Sequence, residues 1–443
     1  MAELNLYDFQ LEGVEFLTTR KRAILGDDMG LGKTPQALIA ASTLDAFPIL
    51  VVCPKAATGV WKREAEKWLG ITPNAYVGQS RKLGRDDPIV ITSYVGFGEI
   101  MSKRAWRLTI FDESHKFRNG RVGGKKGNRP QLYDRALKVQ SPYQFHLTGS
   151  PIVNDADDLW PMLHLLNPYR WKSYWAFVKD YMFMDNNGFG WKVHDVKDPQ
   201  RLKKDLELYL LRRKKTDVLL SLPEKRRTDW PLTMTPVQRT HYDSLVKDMM
   251  TELNSGGDIL AVPSKLALLT RLRQLLVTPR LLGIDEDGAA LEAIGEHLTE
   301  NPHPAVVFTP FAQAIPHIHA VLRGQPVYEV SGKLTDRQLE TVTTSYQRDP
   351  AQNKVLISTV QMGTSWEATS ASNVYFLGYD WSPDINIQAE DRLHRHGQVN
   401  PVLARYLTHE DTIDVHLMDI LEHKTTVKQL VLNADAFLRG RKK

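Results

Sequence analysis

The run Asp27-Asp-Met-Gly-Leu-Gly-Lys-Thr34 follows an apolar, strand-like stretch and precedes a helix-forming one, Pro35-Gln-Ala-Leu-Ile-Ala-Ala41. Residues of these types in this order can cradle phosphate. Gly30 and Gly32 let backbone amides turn inward around phosphate oxygens, with Asp28, Met29 and Leu31 supplying the rest of the loop. Lys33 can neutralise terminal phosphates and the Thr34 hydroxyl can sit on a Mg²⁺ ion. Pro35 suits a first helical turn, where its missing N–H loses no partner. The general pattern begins with glycine and this one begins with Asp27, so the loop needs a second group to corroborate it.

That group is Asp112-Glu-Ser-His115, at the end of the apolar run Leu108-Thr-Ile-Phe111. Acids leaving a strand at its carboxyl end stand where open α/β sheets bind ligands. Asp112 can hold the Mg²⁺ shell, and Glu113 can orient and deprotonate a water for in-line attack on a γ-phosphate. His115 is placed to relay the state of the site to a neighbouring segment. Alone, such a run could merely cap a helix; downstream of a phosphate loop it reads as the other half of a nucleotide site.

The elements that must position these groups are visible as apolar runs alternating with amphipathic helical stretches, the mark of a parallel α/β sheet. The runs are Arg22–Leu25, Ile49–Cys53, Ile89–Ile91, Leu108–Phe111 and Tyr143–Leu147. A second series follows at Ala305–Phe308, Val327–Val330, Val355–Ser358, Val374–Leu377 and Val402–Leu407. Between them the pattern turns helical, which predicts three regions: a first α/β lobe over 1–160, helical insertions and linker over 161–290, and a second lobe over 291–443.

A chain of 443 residues exceeds one ordinary core. No apolar run is long enough to cross a bilayer, and the start, MAELNLYDFQ, does not read as a secretory signal, so the expected compartment is the cytoplasm, or the nucleus in a eukaryote. The single cysteine, Cys53, reads as a buried strand residue and excludes an internal disulfide framework. Net charge is only +5, but basic residues gather at Arg118 to Arg129, at Arg212-Arg-Lys-Lys215 and at Lys225-Arg-Arg227, with acids sparse nearby in sequence. These clusters could form a track for phosphates or simply be solvated faces. The glycine-rich, basic stretch from Arg118 to Arg129 reads as a flexible loop.

With both halves of the site in place, nearly the whole chain resembles the Snf2 family of helicase superfamily 2, in the family's motif order. Leu6-Tyr-Asp-Phe-Gln10 is similar to its adenine-reading segment, and the Asp27 form of the loop is the family's own. Pro54-Lys55 through Trp61, Thr92-Ser-Tyr94 and Leu147-Thr-Gly-Ser-Pro151 are similar to its DNA-contacting and coupling motifs. Leu211-Arg-Arg-Lys-Lys-Thr-Asp-Val218 and Leu272-Arg-Gln-Leu-Leu-Val-Thr-Pro279 look like its inter-lobe signatures. Gln388-Ala-Glu-Asp-Arg-Leu-His-Arg-His-Gly-Gln398 is similar to its last motif, with Arg392 and Arg395 three residues apart.

The resemblance implies two RecA-like lobes, ATP and Mg²⁺ as cofactors, and DNA, double-stranded or branched, as partner to a monomer. It implies Gln10 and Gln388 at the nucleotide and Arg392 and Arg395 as arginine fingers, for which such groups contribute ~10³–10⁵ in rate. Coupling falls to His115, Thr148, Gly149, Ser150 and Gly363. DNA contacts fall to Lys55, Thr92, Ser93, Arg212, Arg213, Phe308, Ser358 and Thr359. The implied activity is ATP-driven translocation on duplex DNA, with strand separation or a nucleotide-switched clamp as rivals. One stretch departs from the family: Ser358 to Glu367 keeps Gly363 but carries Trp366 and Glu367 where smaller or amide residues are usual. The overall wording resembles the fork-remodelling and strand-annealing branch, in its small prokaryotic or viral form, more than the nucleosome remodellers.

Overall fold

The computed structural model describes residues 5–76, 83–84, 86–121, 131–152, 155–186, 191–219, 222–255, 262–364 and 366–421. The chain divides into two compact units, Met1–Leu220 and Ser221–Lys443. All the apolar runs singled out in the sequence coincide with strands to within a residue or two.

In the first unit these are β1 (Arg22–Leu25), β2 (Ile49–Cys53), β3 (Asn74–Tyr76), β4 (Ile89–Ser93), β5 (Leu108–Asp112) and β6 (Tyr143–Leu147). An antiparallel hairpin, β7 (Met182–Asn186) and β8 (Trp191–Val196), and the short β9 (Leu210–Leu211) complete it. The main sheet has seven parallel strands in the order β3-β4-β2-β5-β6-β1-β9. Parallel pairing demands crossovers, and the crossover helices cover both faces; hence β2 is buried at every position and reads as a continuous apolar run. The order brings the carboxyl ends of β5, β6 and β1 side by side.

The second unit contains β10 (Lys225–Leu232), β11 (Ala305–Thr309), β12 (Val327–Val330), β13 (Val355–Thr359), β14 (Asn373–Phe376) and β15 (Val402–His409). Its six strands are parallel in the order β10-β15-β14-β11-β13-β12. β10 lies at an edge, where Pro231 is tolerated because no ladder hydrogen bond is needed on the outer side. These two sheets are the RecA-like lobes.

The stretch 161–290 carries the expected helices, Tyr174–Tyr181, Pro199–Leu206, Pro236–Ser255 and Val262–Val277 among them. It also supplies strands: the β7–β8 hairpin, β9 on the first sheet and β10 on the second. No helix among the described residues is long and apolar enough to cross a membrane.

Candidate active site

The phosphate loop leaves β1 and enters the helix Lys33–Thr43, capped at its start by Gly32 in the left-handed region, φ 72°. A Cβ at Gly32 would come within 2.3 Å of Gln10 Nε2, so glycine is required twice over. Gln10 is buried; its Oε1 accepts from the Tyr7 N–H at 3.1 Å and its Nε2 donates to the Leu31 carbonyl at 3.1 Å. One amide N–H and one lone pair are left for another partner. Gln10 thus pins the N-terminal helix Asp8–Arg20 to the loop, whatever else it reads. The Lys33 ammonium donates to the carbonyls of Asp27 and Asp28, at 2.8 and 3.2 Å. It is held by neutral acceptors at the mouth of the loop, and Thr34 follows it in the first helical turn.

Asp27 is fully buried, and a fork of two guanidinium nitrogens of Arg213 meets its carboxylate at 3.0 and 2.6 Å. Arg213 also donates to Gln36 Oε1 at 2.9 Å and to the Phe9 carbonyl. The following residues are stitched to the loop as well. Gly26 N–H donates to the Leu211 carbonyl at 2.7 Å, Asp28 N–H to the Arg213 carbonyl at 3.0 Å, and Lys215 N–H to Asp28 Oδ2 at 3.0 Å. Side chains alternate along this segment as along a strand: Arg213 and Lys215 face in, Arg212 and Lys214 face out.

Asp112 ends β5 and is fixed by two donors, Trp61 Nε1 at 2.8 Å and the Glu113 N–H at 3.0 Å. Tyr94 donates to the Asp112 carbonyl at 2.6 Å. Glu113 has φ 54°, a left-handed conformation that costs roughly 1–3 kcal/mol and recurs where side chains must be aimed. Burial pushes the Asp112 carboxyl up to about 6, helped by the charge of Glu113 and opposed by the Trp61 hydrogen bond. Burial also acts to raise Glu113, but His115 outweighs it, aided by Lys33 and Lys116, and the Glu113 carboxyl is held below its ordinary value. Two neighbouring carboxylates in one buried place favour a cation. With one oxygen lone pair each still open on Asp112, the set Asp112 and Thr34 fits Mg²⁺, which takes one or two protein oxygens and the phosphates.

His115 Nδ1 lies 3.2 Å from Glu113 Oε2 and 3.1 Å from Thr148 Oγ1. Thr148 follows β6 and its hydroxyl accepts from the Ser150 N–H at 3.1 Å, while Gly149 lies against the Met29 side chain. The segment Thr148–Ser150 therefore touches both the carboxylate through His115 and the phosphate loop through Met29. Trp61 and Arg213 as positioning groups escape a reading of the sequence, since Trp61 lies 51 residues from Asp112 and Arg213 lies 186 from Asp27.

In the second unit, Gln388 lies on the helix Pro383–Glu390. Gly363 approaches that helix so closely that a Cβ would stand 3.0 Å from Ala389 Cβ. Arg392 donates to the carbonyls of Gln388 and Trp366, both at 3.3 Å. Arg395 Nη1 pairs with Glu367 Oε1 at 2.9 Å.

The residues read as DNA contacts are placed as follows. Arg213, only 10% exposed, faces inward and pairs with Asp27, unlike its exposed neighbour Arg212. Phe308 is wholly buried, stacked on Phe376 with ring centroids 5.2 Å apart, because its strand β11 is covered on both faces. Thr92, Ser358 and Thr359 are buried strand residues; Ser93 is half-buried with its Oγ accepting from the Gly96 N–H; Lys55 is exposed. Lys225 and Arg227 are not part of a free basic track: Lys225 meets Glu390 and Asp391 at 2.8 and 2.9 Å, and Arg227 grips Glu390 through two nitrogens at 2.6 and 2.9 Å. Acids absent nearby in sequence are supplied by the fold. Lys125, Lys126 and Arg129 lie outside the described residues.

Among proteins of known sequence, the chain is 26% identical to the protein CHROMATIN REMODELING 5 of Arabidopsis thaliana, over 98% of this chain and 28% of that protein. It is 26% identical to the SWI/SNF-related matrix-associated actin-dependent regulator of chromatin subfamily A member 1 of Mus musculus, over 96% of this chain and 43% of that protein. The chain thus spans less than half the length of either relative. Among solved structures it is similar to the Sulfolobus solfataricus SWI2/SNF2 ATPase core in complex with dsDNA, with a TM-score of 0.46, 25% identity, and coverage of 99% of this chain and 94% of that one. The family model of the helicase conserved C-terminal domain matches residues 289–397. The SNF2-related domain matches residues 9–281, more than half of the chain, and encloses the phosphate loop, Asp112 and Glu113; the chain belongs to the Snf2 family of helicase-like ATPases.

Proposed function

We propose that this chain hydrolyses Mg-ATP and uses the energy to move along double-stranded DNA. The observation that carries the reading is the convergence, at the carboxyl ends of β1 and β5 with only β6 between them, of a phosphate loop bearing Lys33, a fixed Asp112, and a Glu113 held ionised beside His115. Lys33 leaves its carbonyls for the terminal phosphates. Asp112 and Thr34 would hold the Mg²⁺, which would supply charge neutralisation at the phosphates. Glu113 accepts the proton of the attacking water, and Arg392 and Arg395 stabilise charge as it develops on the γ-phosphate. Gln10 and Gln388 flank the nucleotide. His115 and Thr148–Ser150 carry the state of the site toward DNA, with Gly363 doing so in the second unit.

DNA as partner is supported by membership of the Snf2 family and by the relatives' names, which are those of chromatin remodelling proteins. Arg212 and Lys55, both exposed, are the grips on phosphate that remain from the sequence reading. The motif wording favours work on forks, branch migration or strand annealing.

The test is ATP turnover measured with no nucleic acid and with duplex, single-stranded and forked DNA and RNA, for wild type, Lys33→Ala and Arg395→Ala. Duplex or forked DNA should stimulate the wild type, increasingly less as salt rises, because phosphate contacts release counterions. Lys33→Ala should be inactive with an unchanged circular dichroism spectrum, and Arg395→Ala should lose ~10³-fold or more of stimulated turnover. Equal turnover with and without DNA would overturn the motor reading in favour of a nucleotide switch; displacement of a strand would make the protein a helicase.

A further inference from the structure

Arg392 and Arg395 belong to one motif. Arg392 donates to the carbonyls of Gln388 and Trp366, and its own carbonyl accepts from the Ala368 N–H at 3.0 Å. Arg395, 21% exposed, faces a full negative charge on Glu367. The carboxylate is 58% exposed, yet its backbone is clamped: Trp366 is buried against Phe308, ring centroids 5.9 Å apart, and Ala368 is fully buried. Glu367 is thus the outward residue between two inward ones, and it can swing its side chain but cannot travel.

From this we infer that Glu367 is a positioning residue that holds the Arg395 guanidinium at rest and must release it before Arg395 can serve the γ-phosphate. The inference rests on the reading of Arg395 as an arginine finger. A guanidinium paired with a carboxylate has its charge offset and one edge of its fork occupied, and a nearby carboxylate repels the very anion the finger has to meet. A brace that moved with the finger would leave this repulsion in place during chemistry. The backbone of residues 366–368 is clamped within the same unit as Arg395, through Arg392 and the buried Trp366 and Ala368, so only the side chains can separate, and the pair parts when the guanidinium extends beyond the reach of Glu367. Because the Glu367 carboxylate is more than half in water, the restraint is weak, which suits a group released in every cycle. Trp366 and Glu367, which stand where the resemblance leads one to expect smaller or amide residues, therefore act together, one as the anchor and one as the hold.

The experiment is steady-state ATP turnover without DNA and with saturating duplex for wild type, Glu367→Gln, Arg395→Ala and the double variant. Glu367→Gln keeps the shape of an exposed side chain and should fold with an unchanged melting temperature. It should raise DNA-free kcat by about two- to fivefold, the factor an exposed ion pair represents, with KM for ATP unchanged. The ratio of DNA-stimulated to DNA-free turnover should fall accordingly. In the Arg395→Ala background the same substitution should change nothing, which a merely structural role for Glu367 would not produce. A fall in kcat toward that of Arg395→Ala, or no change at all, overturns the inference while leaving the finger intact. Wild-type turnover by Arg395→Ala would instead remove the finger reading, and this inference with it.

Discussion

The acidic groups around the phosphate loop and the arginines of the second unit are fixed by opposite means. In the first unit Asp27 is fully buried and gripped by an Arg213 that is itself nearly buried, and Asp112 and Glu113 are each tied to a neighbour. In the second unit Arg395 leans on a Glu367 that is more than half in water. Buried charges must be matched or the structure fails, so the first arrangement is rigid. Exposed pairs contribute about 0–1 kcal/mol and are screened by salt, so the second can be exchanged for another anion at little cost. A buried, matched arrangement in one unit thus stands against an exposed, exchangeable ion pair in the other.

The largest expected effect breaks the first half of that contrast at its chemical centre. Glu113→Gln should lower turnover about 10²–10⁴-fold, because an amide can hold a water but cannot take its proton, while nucleotide binding followed by fluorescence titration persists. Turnover at the wild-type rate would remove Glu113 as the base. Next, Arg213→Ala leaves the Asp27 charge buried without its partner and should cost ~3–5 kcal/mol in the urea unfolding of the first unit. Arg212→Ala, one residue away, should stay within about 0.5 kcal/mol, and Arg395→Ala should cost less than ~1 kcal/mol of stability. Equal losses for Arg213 and Arg212 would erase the distinction between inward and outward residues.

An effect smaller than that of Arg213→Ala concerns His146 on β6, fully buried with ring centroids 5.1 Å from Phe111 and 5.9 Å from Phe117. Burial, helped by the charge of Arg22, lowers its pKa from 6.5 to about 3. The folded state keeps His146 neutral where the unfolded chain takes up a proton. Its contribution is therefore complete above about pH 6.5 and is lost as pH falls toward about 3, with a slope approaching ~1.4 kcal/mol per pH unit. His146→Phe should flatten that slope in urea unfolding measured between pH 7 and 5; an unaltered slope would assign the acid sensitivity to other groups.

What could be read from the chain follows the range of the interactions involved. Runs such as Ile49–Cys53 announce their strand because burial on both faces is written in five consecutive residues. Lys33 is legible because a phosphate loop is local, and Glu113 because the acids sit at the end of such a run. The pairing of Asp27 with Arg213 is not, since 186 residues separate them and only the sheet order, with β9 beside β1, brings them together. The same holds for Lys225 and Arg227, which look like a free basic cluster until Glu390 and Asp391 arrive from 163 residues or more away. Strands β7 to β10 are hidden for another reason: short or exposed strands, like the edge strand β10 with most positions in water, carry no apolar signature. Glu367 is noticeable as a departure, yet its partner is set by the path of the chain.

The stitching of residues 211–215 to the phosphate loop also has a mechanical meaning. This segment is the last part of the first unit before the chain passes, at residue 220, into the second. A pull transmitted to Lys215 is borne by the bond from its N–H to Asp28, by the Arg213 fork on Asp27 and by the pairing of β9 with β1. Such a pull reaches Asp27 and Asp28, which open the phosphate loop, through direct attachments as well as through the sheet.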